Sequence, residues 1–169
     1  FSGEEIEFLN TLAGQLALAI HNAKLYEAAK RSGGEIAALH SLTIAATQSL
    51  DLDVVLKEAI HKVTEIFNFD ATRIFLFNAD MTELHVKAGF ESKPEFWNEA
   101  VRFRRGESIV GRVVETGESF ICEDIAHDPI YLAMTSSRSS LKAQARFLGM
   151  FPIKTKLKIW GAMVCVGKI

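Results

Sequence analysis

The chain has 169 residues, 49% of them apolar and 24% charged, with a formal net charge of −2. That length holds one core-bearing domain and an appendage, and falls short of two ordinary domains. The near-neutral balance argues against a nucleic-acid-binding face, and the sequence carries neither a signal peptide nor an apolar run approaching the roughly 18 residues of a membrane span, so a cytoplasmic protein with no direct membrane insertion is expected.

Ser2–Arg31 carries the strongest helix signal. Ser2 followed by Glu5 forms the pattern of a capping box. Leu9, Leu16 and Ala23 recur every seven residues, as do Leu12, Ala19 and Tyr26, and Ala13 and Ile20 widen the stripe. So apolar a stripe must pack on something, either on the chain's own sheet after a turn at Ser32-Gly33-Gly34 or on a second copy; the heptad spacing favours a parallel homodimer through these helices. A second helix is expected over about Glu35–Ser49, with Ile36, Leu39, Leu42 and Ala46 on one side. Asp51 or Asp53 caps a third, which ends near Phe67 and buries Val55, Ala59, Ile60, Val63 and Phe67. His40 and His61 read as exposed helix positions.

Thr72–Phe77 is β-branched and aromatic with little alternation, the pattern of a strand covered on both faces. After a turn at Asn78–Thr82, Glu83–Ala88 alternates Leu84, Val86 and Ala88 with polar residues, completing a hairpin. Gly89 to Phe103, with Pro94, Phe90, Phe96, Trp97 and Phe103, is a packed connecting segment.

The most ordered stretch is Arg104–Tyr131. Gly106 opens it and Ser108 is set to cap a short helix. Ile109, Val110, Val113 and Val114 share a face, with Arg112 and Glu115 pointing away. Gly117 occupies the left-handed stop, Ser119–Cys122 is a short strand, and a return loop runs from Asp124 to Asp128-Pro129. Gly106 and Gly111 have the spacing of a phosphate loop, but Arg112-Val113 stands where Lys and Ser or Thr are required. Beyond it, Thr135–Ser140 is a loop by composition. Phe147–Ile153 and Ile159–Val166 are strands joined at a basic tip, with Pro152 easiest to place near an edge or a strand end. The fold class is α+β: a mostly antiparallel sheet of five or six strands, helices on one face and irregular segments on the other.

Gly106-Glu107, Ile109-Val110-Gly111-Arg112-Val113, Thr116-Gly117-Glu118, Asp124-Ile125 and Asp128-Pro129 together resemble the core motif of the GAF domain family, small-molecule-sensing modules of signalling proteins. The resemblance runs from about Ile36 to the C-terminus and implies a GAF/PAS-like fold. The wording of residues 1–23, Phe1-Ser2-x-Glu4-Glu5 and then Leu12-Ala13-x-Gln15-Leu16-Ala17-x-Ala19-Ile20-x-Asn22-Ala23, resembles the helix that closes such a domain after its last strand. Residues 1–34 are therefore expected to be the tail of a preceding domain, and 35–169 a GAF domain without a closing helix of its own, within a longer protein.

The resemblance implies a non-catalytic regulatory domain that binds a small molecule and relays the signal through flanking helices to a histidine kinase, chemotaxis transducer or cyclase; the alternative is a pocketless module for dimerisation. No metal or hydrolase motif is present. One GAF-like family reduces free methionine sulfoxide with a cluster of cysteines, whereas Cys122 and Cys165 stand alone as expected buried thiols. Bilin-binding members attach the pigment to a Cys followed by His; here Glu123 and Val166 follow the cysteines. A haem would need His127, but its setting in His127-Asp128-Pro129 is better explained as turn chemistry. No cofactor is expected. The cyclic-nucleotide signature of the phosphodiesterase branch does not align: after Tyr131 there is no Asn, Asp or Glu. Arg102, Arg104 and Arg105, with Arg138, Lys142 and Arg146, form either a solvated rim or an anion site. Phe90, Trp97, Phe103, Tyr131 and Phe147 line a pocket or fill a closed core. With Ile109, Val110, Asp124, His127 and Arg138 they are the candidate ligand residues, for an anionic or aromatic molecule.

Overall fold

The computed structural model describes residues 2–31, 52–91, 101–134 and 147–167. The helix expected over Glu35–Ser49, the break at residues 32–34 and the loop at residues 135–140 lie outside them. The elements run α1 (Gly3–Arg31), α2 (Leu52–Phe67), β1 (Ala71–Phe77), β2 (Glu83–Glu91), β3 (Arg102–Arg104), α3 (Ser108–Thr116), β4 (Phe120–Cys122), α4 (Pro129–Met134), β5 (Phe147–Lys154) and β6 (Ile159–Gly167). One six-stranded sheet has the order β3-β2-β1-β6-β5-β4, and every neighbouring pair is antiparallel.

The long helices cover one face. The capping box forms: Ser2 N donates to Glu5 Oε2 at 2.6 Å and Glu5 N donates to Ser2 Oγ at 3.2 Å. From there α1 runs unbroken, and Leu9, Ala13, Leu16, Ala17 and Ile20 are buried with Leu56, Ala59, Ile60 and Val63 of α2 against Ile74, Phe151, Ile153 and Met163 of the sheet. The stripe whose spacing suited a seam with a second chain is thus covered by the chain's own sheet. Burying a Leu or Ile side chain is worth about 1.5–3 kcal/mol, and here the sheet face supplies that burial. Phe8, Phe67, Phe69 and Phe147 succeed one another at ring-centroid distances of 5.5–5.6 Å and tie α1, α2 and β5 together.

On the opposite face lie the short α3 and α4 and the return loop between them. Two bulges adjust the sheet beneath. At the β5–β6 shift Ile153 pairs Gly161 and Lys154 pairs Ile159, so Trp160 is the extra residue and joins the α1 side. Gly161 has no alternative there, because a Cβ would lie 1.9 Å from Phe75 O. Pro152 is in β5, but β4 pairs only with Leu148–Met150, so the proline lies past the end of the outer strand, as expected of a residue without an amide proton. The segment after Gly89 is more regular than its composition implied: β2 continues to Glu91, and β3 pairs with its other end.

Candidate functional site

The register of the sheet lays out the floor beneath α3 in three rows. Val86, Phe75, Ala162 and Pro152 make the first; Gly89, Arg73, Val164, Met150 and Phe120 the second; Glu91, Ala71, Val166, Leu148 and Cys122 the third. Over them pack Ile109, Val110, Val113 and Val114 of α3, with Ile125, Tyr131 and Phe103. Phe103 approaches Phe75 at 5.6 Å between ring centroids, and Tyr131 is only 1% exposed. Of the candidate residues, Phe103, Ile109, Val110 and Tyr131 are thus brought together. Phe147 and Phe90 are not. Phe147 packs against Phe69 on the α1–α2 side. Phe90 lines an open cleft of about 690 Å³ beside α2, with Lys57, His61 and Phe69. Alternation along the strands sends both away from α3. Trp97 and Arg138 lie outside the described residues.

The entry to α3 is built from backbone. Glu107, not Ser108, is the N-cap residue, and its carboxylate accepts from Arg104 N at 3.0 Å. Ser108 has φ +72°, and its Oγ accepts from Gly111 N at 3.5 Å, a cap contact at the outer limit. Gly111 lies against the end of β3: a Cβ there would be 2.2 Å from Arg104 O. At the other end Gly117, with φ +71°, closes the helix by donating its amide to Val113 O at 2.9 Å, and its own carbonyl accepts from Lys154 Nζ.

The arginines ahead of α3 do not converge. Arg104 pairs with Glu83 at 3.4 Å. Arg105 donates to Val114 O at 3.2 Å and lies 4.6 Å from the Phe77 ring centroid, so it covers the end of the apolar layer. Arg102 donates to Val101 O.

Asp124 and His127 stand outside the layer, exposed, and hold the return loop. Asp124 Oδ1 accepts from Ala126 N at 3.1 Å and Oδ2 meets His127 Nδ1 at 2.7 Å, while Asp124 O accepts from His127 N and Asp128 N. The His127 contact above all, with the Ala126 amide, holds the Asp124 carboxyl below its ordinary value. Asp128 caps α4, accepting from Tyr131 N at 2.7 Å. The Asp-Pro pair, expected only as a turn, is therefore a helix start with proline in the first turn. Ile130 and Leu132 remain exposed on either side of Tyr131.

Both thiols are buried. Burial, then the Asp128 carboxylate, pushes Cys122 up to about 11, and burial raises Cys165 well above its ordinary value. Neither is a ready nucleophile. Among the described residues no group of three or more His, Cys, Asp or Glu could hold a metal ion, and no helix is long and apolar enough to cross a membrane.

Sequence reasoning passed over Arg73. It is the one cation in the three rows, half-buried on a central strand, with the proton on its guanidinium disfavoured by desolvation. The signal was a lone arginine inside the run Ala71–Phe77.

Comparison with known proteins agrees with this architecture. The chain is 28% identical over 132 residues to a Nif-specific regulatory protein of Azospirillum lipoferum, a match covering 76% of this chain and 20% of that protein. It thus spans about a fifth of the length of that relative. In fold it resembles the A. aeolicus nlh2 GAF domain in an inactive state, with TM-score 0.59 and 18% identity over 87% of this chain and 82% of that one. It also resembles the free methionine-R-sulfoxide reductase of Thermoplasma acidophilum, with TM-score 0.52 and 14% identity over 68% of this chain and 73% of that one. The GAF domain model matches residues 51–168, from the start of α2 through β6, and the chain belongs to the GAF domain family.

Proposed function

We propose that the chain is a non-catalytic sensor domain that binds a small molecule between α3 and the sheet floor. Ligand-dependent ordering of residues 124–134 is then relayed through the flanking helices to an output domain. The observation that carries this reading is the single anchor of α4. Tyr131 is buried in the apolar layer, its neighbours Ile130 and Leu132 are exposed, and the loop before it is bonded mainly to itself. With Ile125 at the start of the loop as the other buried contact, a segment fastened at two side chains can tighten or loosen without unravelling the sheet. The resemblance to a Nif-specific regulatory protein supports a regulatory setting, whether the output is a histidine kinase, a chemotaxis transducer, a cyclase or the activity of such a regulator. Two thiols with raised pKa support a sensor over the reductase chemistry of the structural neighbour.

Native mass spectrometry of the protein purified from cells tests the reading. A retained small molecule whose release exposes the Tyr131 segment to hydrogen exchange is the expected result. Protection of that segment that no metabolite alters would argue for a closed core.

A second reading rests on the outer side of α1. Leu18 and Leu25, seven residues apart, are 57% and 45% exposed on the side away from the sheet. We infer that a homodimer through this stripe could accompany sensing, or replace it.

A further inference from the structure

We propose that the turn Gly117–Ser119 is a joint that couples α3 to α1 around the edge of the sheet, with the Ser119–Asn10 hydrogen bond as its latch. The proposal rests on the sensor reading above and names how a movement of α3 reaches a flanking helix. The two helices lie on opposite faces, α3 over the floor of the candidate site and α1 over the other side. β4 is the edge strand beside β5, and the turn is the short piece of chain that leads from the end of α3 onto that edge. There Ser119 Oγ donates to Asn10 Oδ1 at 2.7 Å, joining residues 109 positions apart in the chain.

Each residue of the turn is tied. On the α3 side, Thr116 Oγ1 donates to Arg112 O at 3.1 Å and accepts from Glu118 N at 3.2 Å. With the Gly117 amide on Val113 O, these bonds make the turn move with the last turn of the helix. On the sheet side, Gly117 O accepts from Lys154 Nζ, and a Cβ at Gly117 would lie 3.3 Å from Ile159 Cδ1. On the α1 side, Asn10 Nδ2 donates to Ile6 O at 3.0 Å, which fixes the amide with its oxygen toward Ser119. Leu9, the next residue, is fully buried, so a pull on Asn10 acts on the seated part of α1. Three residues bonded in this way have little slack. A hydrogen bond ends at about 3.5 Å, so a shift of under about 1 Å opens the latch. Asn10 is exposed and Ser119 half-buried, so water replaces either partner when they part and both states are accessible. One such bond biases the equilibrium by about two- to tenfold, the lower part of the usual range of allosteric coupling.

The test uses the whole chain and moves α3 by substitution rather than by ligand. Ile109→Val trims the buried face of α3, and backbone amide resonances of the native state read where the change is felt. In an otherwise wild-type chain it should shift the resonances of α1 residues 6–14 as well as those of α3. Repeated in Ser119→Ala, and separately in Asn10→Ala, the α1 shifts should fall by about half or more, as a coupled pair requires. Ser119→Thr, which keeps the hydroxyl, should retain them, and β6, which lies beneath α3, should respond in every background. Shifts in α1 that persist undiminished in both Ser119→Ala and Asn10→Ala overturn the proposal, because the sheet then carries them. So does an α1 that stays silent while α3 responds. Should Ile109→Val leave even α3 unmoved, Val113→Ala, which removes more of the same layer, takes its place under the same criteria. The sensor reading stands or falls separately: a working latch in a chain that retains no small molecule removes the sensor alone, and a retained molecule with no latch removes the joint alone.

Discussion

Gly111 has no room for a side chain. Its missing Cβ would meet Arg104 O at 2.2 Å and Gly106 N at 3.1 Å, backbone atoms that cannot swing aside. Gly111→Val should therefore cost about 1–3 kcal/mol by overpacking, read as a lower midpoint in urea. An unchanged midpoint would mean that the turn at Gly106 can retreat from α3. Asp124 works differently, since it is exposed and holds only its own loop. Asp124→Ala should speed hydrogen exchange through Tyr131 while leaving β5 and β6 protected; equal protection of the loop would show that its buried side chains, Ile125 and Tyr131, set its order without the carboxylate. The pH dependence follows from the direction of the Asp124 shift. A carboxyl held below its ordinary value contributes order in full above the unperturbed value of about 3.9, and that order is lost as pH falls through the lowered one. The Ala126 amide resonance should report that acid transition and lose it in Asp124→Asn.

At the scale of elements, the helices and strands whose apolar pattern matches one period were legible: α1, α2, the β1–β2 hairpin, α3 with its glycine stop, and the β5–β6 pair. Short elements were not. β3 has three residues and depends on pairing with Glu83–His85, a contact no local pattern encodes. α4 has six, and its start at Asp128-Pro129 carries the same residues as a turn. For α1 the period was right and its partner was not decided by it, because a heptad stripe is also a stripe that fits a sheet. Ile20 is fully buried there and Leu18 is not. Ile20→Ala should cost about 2–5 kcal/mol, and Leu18→Ala should stay within about 0.5. Denaturant curves for the two would have to agree before the α1–sheet packing could be doubted.

For the whole molecule, the candidate site was half legible. Ile109 and Val110 were assigned a face by helical period and do pack in the layer between α3 and the sheet; Phe103 and Tyr131, named as aromatics, join them there. Phe90 and Phe147 were grouped with them by aromatic character alone, and which face of a strand a residue takes depends on bulges and register that a single sequence hides. The same division bears on assembly. With Leu9, Leu16 and Ile20 packed on the chain's own sheet, α1 offers a second copy its outer stripe, where Leu18 and Leu25 are exposed. Two exposed leucines per chain form a small seam, so the dimer should be weak and concentration-dependent rather than obligate. Sedimentation of the full chain should show dimer growing toward high micromolar concentration, with Leu25→Glu monomeric throughout and its melting midpoint little changed. A full chain that stays monomeric at the highest concentration would remove the dimer. Loss of dimer in a surface variant elsewhere, such as Ile66→Glu on α2, with Leu25→Glu still dimeric, would move the interface off α1 altogether.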